Sequence, residues 1–281
     1  MTESKVSICI TAQRFDLFFI RAVHSIKSQI KPPFEVVLVM DGISDQMSQT
    51  RCYKELPEEW IKIWTEQENS GPSYTRNLGM YYCTGEWILF LDGDDFLVPS
   101  CLEFYEKYLL QTKADVITEF SHSLVLKHQN LRVSKYLQDK NSWAESVKMN
   151  VKHLFSGSWK RGDLPIDPLF IRNDGKKYLP LDYVLFEKKV LLLQYMLEER
   201  KILLSSYCSY VFNKHPMGQS SCLKGYLSHP DEIRFKKLAS NVQINGWTVK
   251  EKIFEQIMSS TFISGWDIDY IDKTASYLSI D

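Results

Sequence analysis

GPSYTRNLGMYYCTGEWILFLDGDDFLVP (Gly71–Pro99) holds in one stretch a helix start, a helix stop, a buried strand and a knot of carboxylates. Gly71-Pro72-Ser73 opens a helix predicted from about Tyr74 to Cys83, because proline at the first helical position gives up no hydrogen bond and presets φ. Thr84-Gly85 closes it. Trp87–Leu91 (WILFL) is apolar at every position, the mark of a strand covered on both faces. Such strands belong to parallel sheets flanked by helices. Downstream, Ser100 and Glu103 form a capping box that predicts a helix to about Gln111.

Upstream the same alternation holds. Val6–Thr11 (VSICIT) reads as a buried strand. Asp16 caps a helix whose Phe19, Val23, Ile26 and Ile30 recur at helical spacing, and Pro32-Pro33 ends it. Phe34–Met40 (FEVVLVM) is a second doubly buried strand, and a third is expected over Trp60–Trp64. Strand and helix alternating through residues 1–115 imply a doubly wound α/β fold. Beyond it, strands are expected at Asp115–Phe120, Ser123–Lys127 and about Ser206–Phe212, and a helix at about Leu181–Arg200. Residues 140–180 read as loop, and His229–Ser279 as two or three helices.

Composition limits the alternatives. The 281 residues are 44% hydrophobic and 25% charged, enough apolar material for a substantial core. A net charge of -1 gives no global field to gather nucleic acid or acidic lipid. The charge divides, with -7 over residues 1–120 and +6 over 121–281. An acidic half suits a metal site and a basic half an anionic partner. The six cysteines form no CxxC pair and read as buried thiols in a reducing compartment. With no signal peptide and no apolar run of about 20 residues, a cytoplasmic protein is expected. Lys236, Lys237, Lys250 and Lys252 leave room for peripheral contact with the inner face of the plasma membrane.

Polar residues interrupt the apolar strands at informative places. Thr11 ends the first, Asp41 the second and Asp92 the fourth. In an open parallel sheet, ligands bind outside the carboxyl ends of the strands. Asp92-Gly93-Asp94-Asp95 packs three carboxylates into four residues. Without a counter-charge they repel and raise their own pKa values. A divalent cation removes that strain, and hard oxygen ligands favour Mg²⁺ or Mn²⁺. Gly93 permits a bend that points Asp92 and Asp94 to one side. A solvated turn is the competing reading. Arg76 and Asn77, in the first turn of their helix, suit a diphosphate or a ribose-phosphate, since a helix N-terminus already favours anions.

Four pieces in order, VSICITA (Val6–Ala12), AVHSIKSQ (Ala22–Gln29), FEVVLVMDGISD (Phe34–Asp45) and Gly71–Pro99, resemble the family 2 group of GT-A glycosyltransferases. The resemblance implies a GT-A-type, mostly parallel sheet flanked by helices, here with a C-terminal helical extension. Residues 1–225 would form the catalytic domain, with 1–115 the nucleotide-sugar half, 116–225 the acceptor half, and 226–281 the extension. It also implies roles. Thr11, Ala12 and Gln13 would line the nucleotide, with Thr11 using its backbone. Asp41 would hold the base, and Arg76 and Asn77 would border the donor pocket. Asp92 with Gly93 would reach the ribose, and Asp94 with Asp92 would bind Mn²⁺ or Mg²⁺ at the diphosphate. Two positions depart from the family pattern: Met40 stands where an acidic residue is common, and Gln13 where an aromatic stacks on the base.

Inverting transfer needs a carboxylate that takes the acceptor's proton. The resemblance points to Asp182 at the start of the Leu181–Arg200 helix, although Leu181 replaces the usual Glu. Asp174 and Glu187 are the other candidates. His215 would add a metal ligand and Lys214 a diphosphate contact. The implied donor is a nucleoside-diphosphate sugar, UDP-linked by preference. The implied acceptor is a glycan, glycolipid or wall polymer, with self-association through the C-terminal helices. A catalytically silent sugar-nucleotide or protein-binding module, and a DxD phosphatase, compete with this reading. No GxGxxG follows the first strand, which sets aside a dinucleotide oxidoreductase.

Overall fold

A computed structural model describes residues 3–42, 50, 54–65, 70–119, 124–127, 130–133, 167–174, 179–181, 187–198, 200–205, 209–213, 230–231, 233–234, 243–244 and 247–248. Two compact units interleave along the chain. Unit one holds residues 1–113, 168–187 and 209–213, and unit two the remainder.

In unit one, β1 (Val6–Ala12), α1 (Leu17–Lys27), β2 (Glu35–Met40), β3 (Ile61–Trp64), α2 (Pro72–Tyr82), β4 (Trp87–Asp92), β5 (Phe96–Leu97) and α3 (Cys101–Gln111) follow in chain order. Strands run in parallel in the spatial order β4-β1-β2-β3. The chain steps outward from β1 to β3, then returns to β4 on the far side of β1. That reversal makes the carboxyl ends of β1 and β4 the switch point of the sheet. Val36–Met40 and Trp87–Leu91 are at most 2% exposed. Burial on both faces explains their unbroken apolar runs.

Asp16 caps α1 as the sequence predicts, accepting from the backbone N–H groups of Phe18 and Phe19. The capping box expected at Ser100 does not form: the Ser100 side chain makes no cap hydrogen bond. The N–H of Leu102 instead donates to Gln29 Oε1 at 3.1 Å. Gln29 Nε2 donates to the carbonyl of Val98 at 2.7 Å. A side chain arriving from the end of α1 thus satisfies an orphan donor of α3. Helix α2 lies close on β1, because Gly79 has no Cβ; one placed there would stand 2.4 Å from Cys9 Sγ. The approach carries Arg76, one turn earlier, toward the strand tips.

The stretch expected to be loop through residue 180 contains a central strand, β9 (Leu169–Arg172), antiparallel to β4. Its four residues are too few for periodicity to separate strand from loop. Leu169, Phe170 and Ile171 are fully buried, so tertiary packing decides the matter. β11 (Tyr210–Asn213) pairs antiparallel with β5.

Unit two holds β6 (Val116–Glu119) and β10 (Ile202–Ser205), which pair in parallel, and the hairpin of β7 (Leu124–Lys127) with β8 (Asn130–Val133). α4 (Glu187–Leu197) gives its first residue to unit one and the rest to unit two. In the stretch expected to be purely helical, β12 (Gln243–Ile244) and β13 (Trp247–Thr248) pair as a hairpin. Asn245-Gly246 between them is a strong hairpin signal that outranks the helical spacing around it. Lys236, Lys237, Lys250 and Lys252 lie outside the described residues. Among the described residues no helix is long and apolar enough to cross a membrane.

One carboxylate ties the sheet's other edge together. Glu35 accepts from Ser7 Oγ, from the N–H and Oγ1 of Thr84, and from the N–H of Gly85. Burial alone raises its pKa, but these donors outweigh burial and leave it below the usual glutamate value. The folded state therefore binds this proton less readily than the unfolded chain. The stabilisation is fully present above the unfolded value and fades as the pH falls through the folded one. Replacing Glu35 with Gln should lower Tm at neutral pH and flatten its decline below about pH 4.3. Parallel Tm–pH curves for the two proteins would refute the assignment.

Candidate functional site

Thr11 and Asp92 are register partners on β1 and β4, and Ala12 pairs with Met40, next to Asp41, on β2. The three polar strand ends expected to share an edge do so. Thr11 O accepts from the N–H of Gly93, and Ala12 O from the N–H of Asp41, both at 2.8 Å. Gly93 is required for this closeness, since a Cβ there would meet Ala12 Cβ at 2.5 Å. Gln13 is exposed at the same end of β1.

Asp41 is 3% exposed. Its Oδ1 accepts from Thr65 Oγ1 at 2.7 Å and from the N–H of Ser70 at 3.0 Å. Its Oδ2 is buried with no hydrogen-bond partner among the described residues. A buried acceptor without a donor costs free energy, and a ligand N–H would relieve it.

The turn after β4 divides its three carboxylates among different partners. Asp92 pairs with Arg76, whose Nη2 donates to Oδ1. Asp95 is buried, accepting from Tyr210 Oη at 3.0 Å and from the N–H of Asn213 at 2.8 Å. Tyr210 Oη also accepts from the N–H of Asp92 at 3.2 Å. One tyrosine thus binds both ends of the turn to β11. Burial, and then the neighbouring charges of Asp94 and Asp92, hold the Asp95 carboxyl well above the usual aspartate range. Asp94 is half-buried in the turn.

One expectation changes here. The carboxylates do not stand without a counter-charge, because Arg76 supplies one from α2. Arg76 is also held from a second side. It is 5% exposed, and its Nη1 donates to Glu187 Oε1 at 2.6 Å. Burial requires that such a cation be paired, and two carboxylates claim it. Asn77 exchanges two hydrogen bonds with the backbone of Leu179. Of the base candidates, Asp174 is exposed and Glu187 is buried against Arg76. Asp182, Lys214 and His215 lie outside the described residues.

Tyr210 and Asn213 carried no sequence signal for this role. Their short apolar strand resembles any other, and their partner is 115 and 118 residues away.

For a divalent cation the test is the donor set. Among the described residues no three His, Cys, Asp or Glu side chains gather as a metal cluster. Asp92 and Asp94 offer hard oxygens only, which fits Mg²⁺ or Mn²⁺ held by one or two carboxylates, with waters and substrate phosphates completing the shell.

The sequence profile of Glycosyl transferase family 2 matches residues 7–153. An uncharacterised glycosyltransferase of Rickettsia conorii is 28% identical over 160 residues, 56% of this chain and 23% of that protein. A teichoic acid poly(glycerol phosphate) polymerase of Staphylococcus epidermidis is 30% identical over 113 residues, covering 37% of this chain and 15% of its own. The chain spans about a fifth of the length of the first curated relatives it matches. The crystal structure of S. aureus TarS 1-349 in complex with UDP-GlcNAc superposes with a TM-score of 0.63 at 19% identity, covering 90% of this chain and 71% of that one. At that identity the likeness establishes a shared fold.

Proposed function

Since the chain belongs to glycosyl transferase family 2, we propose that it moves a sugar from a nucleoside-diphosphate sugar to a glycan, glycolipid or wall-polymer acceptor, with inversion. The observation that carries this reading is the convergence of Thr11, Asp41 and Asp92 at the switch point, where Asp41 Oδ2 lacks a donor among the described residues. A uracil N3–H is a donor of the required kind, so UDP is the favoured carrier. The fold shared with a protein crystallised with UDP-GlcNAc supports the same choice. The name of the staphylococcal polymerase lends weight to a wall-polymer acceptor.

Asp92, held by Arg76, turns its carboxylate to the ribose. Asp94 is the principal ligand of Mn²⁺ or Mg²⁺, with Asp92 beside it and His215 as a further ligand. When bound, the cation supplies positive charge to the departing diphosphate. Thr11, Ala12, Gln13 and Gly93 line the nucleotide, and Lys214 adds charge. Asp182 accepts the proton as the acceptor oxygen bonds to the anomeric carbon and the bond to the diphosphate breaks. The buried thiols of Cys9, Cys83 and Cys101 support a cytoplasmic setting, with peripheral membrane contact and self-association as further expectations.

A thermal-shift panel of nucleoside diphosphates, with and without Mn²⁺, tests the assignment. UDP with Mn²⁺ should raise Tm most, and the Asp41→Ala variant should lose the preference for uracil. Equal shifts for all bases, or none with any of them, would refute the donor assignment.

A further inference from the structure

Both donors that reach the Asp41 carboxylate fall on the same oxygen. Oδ1 accepts from Thr65 Oγ1 at 2.7 Å and from the N–H of Ser70 at 3.0 Å, while Oδ2 is buried without a partner among the described residues. The Thr65 hydroxyl is committed on its other side as well, accepting from the N–H of Gly42 at 3.0 Å. A backbone N–H can only donate, so the one hydroxyl proton goes to Asp41. Thr65 stands just beyond β3, and its own N–H donates to the carbonyl of Met40 at 3.0 Å. One residue thus grips the carbonyl of Met40, the carboxylate of Asp41 and the N–H of Gly42 in succession. Thr65 is 8% exposed and Asp41 3%, so water competes weakly for these bonds. The branched Cβ of threonine restricts χ1 and keeps the hydroxyl aimed one way.

We propose that Thr65 is a positioning residue for base selection: by occupying Asp41 Oδ1 it leaves Oδ2 as the oxygen that meets the base, and so favours uracil over cytosine. The two bases differ at N3. Uracil carries an N–H there, which an ionised carboxylate oxygen accepts; cytosine carries a lone pair, which that oxygen repels. A carboxylate free to rotate can turn instead to the 4-amino donor of cytosine. Held through Oδ1, Asp41 loses that freedom. Thr65 acts through Asp41 and makes no contact with the base itself. The inference rests on the reading of Asp41 as the base contact given above.

Calorimetric titration with UDP and with CDP, each with Mn²⁺, gives the ratio of the two affinities. Thr65→Val removes the hydroxyl with little change of shape. The preference for UDP over CDP should fall about tenfold, the scale of one hydrogen bond to a charged group. Thr65→Ser restores the hydroxyl on a less restricted side chain and should recover most of the preference. General damage to the fold would weaken both nucleotides alike and leave their ratio unmoved. Should Thr65→Val fail to fold, Thr65→Cys, similar in size but a weak donor, decides in its place, and its ratio should fall too.

An unchanged ratio in the valine variant, or an equal loss for both nucleotides, would overturn the proposal. Asp41→Ala separates it from the reading beneath it. If Asp41→Ala abolishes the preference and Thr65→Val keeps it, only the role of Thr65 fails. If Asp41→Ala keeps the preference, or the wild-type protein binds UDP and CDP equally, the base contact at Asp41 fails and the role of Thr65 with it.

Discussion

Replacing Asp94 with alanine should leave a folded protein that binds UDP weakly and no longer transfers sugar. The residue is half-buried in the turn between β4 and β5, where shortening a side chain opens no cavity in the core. Its neighbours are structurally committed, Asp92 to Arg76 and Asp95 to Tyr210 and Asn213. Asp94 stands between them and is the carboxylate proposed above to hold the cation. Withdrawing several kcal/mol of charge stabilisation from the leaving diphosphate corresponds to a fall in kcat of about 10³-fold. Asp94→Glu should fall between, since the charge survives but its position shifts. The measurement is UDP release from UDP-sugars over a Mn²⁺ titration, beside a melting curve. A variant with wild-type kcat and wild-type Mn²⁺ dependence would remove Asp94 from the metal site.

The second large effect is on stability. Arg76→Met should lower the free energy of unfolding by about 3–5 kcal/mol, the cost of leaving buried carboxylates without their partner. Methionine fills much of the space but carries no charge, so the loss is electrostatic. The double variant Arg76→Met/Glu187→Met should recover part of it, because two apolar side chains leave one buried charge fewer. Arg76→Lys should be intermediate, as an ammonium cannot fork between Asp92 and Glu187. Urea unfolding midpoints of the four proteins give the comparison. An Arg76→Met midpoint equal to wild type would mean that the pair is solvated and does not support the site.

The tyrosine and arginine contacts show why the site is only half legible in sequence. The turn Asp92–Asp95 is conspicuous by its charge, and its position after a doubly buried strand places it at the sheet's binding edge. The division of labour within it is not written there. Asp95 looks no different from Asp94, yet it is a structural anchor, because Tyr210 Oη and the N–H of Asn213 meet it. Arg76 looks like an anion receptor at a helix start, yet Glu187, 111 residues away, claims half of its guanidinium.

The order of β1 to β4 and of α1 to α3, the cap at Asp16 and the strand ends at Thr11, Asp41 and Asp92 were determined by the sequence alone. Burial period and turn chemistry are local properties, so a window of a few residues contains them. The insertion of β9 beside β4, the capping of α3 by Gln29 and the partners of Arg76, Asn77 and Asp95 were decided only by the tertiary structure. Each depends on which groups distant in the chain arrive within about 3 Å of one another, a hydrogen-bond distance. No local pattern of residues encodes that meeting.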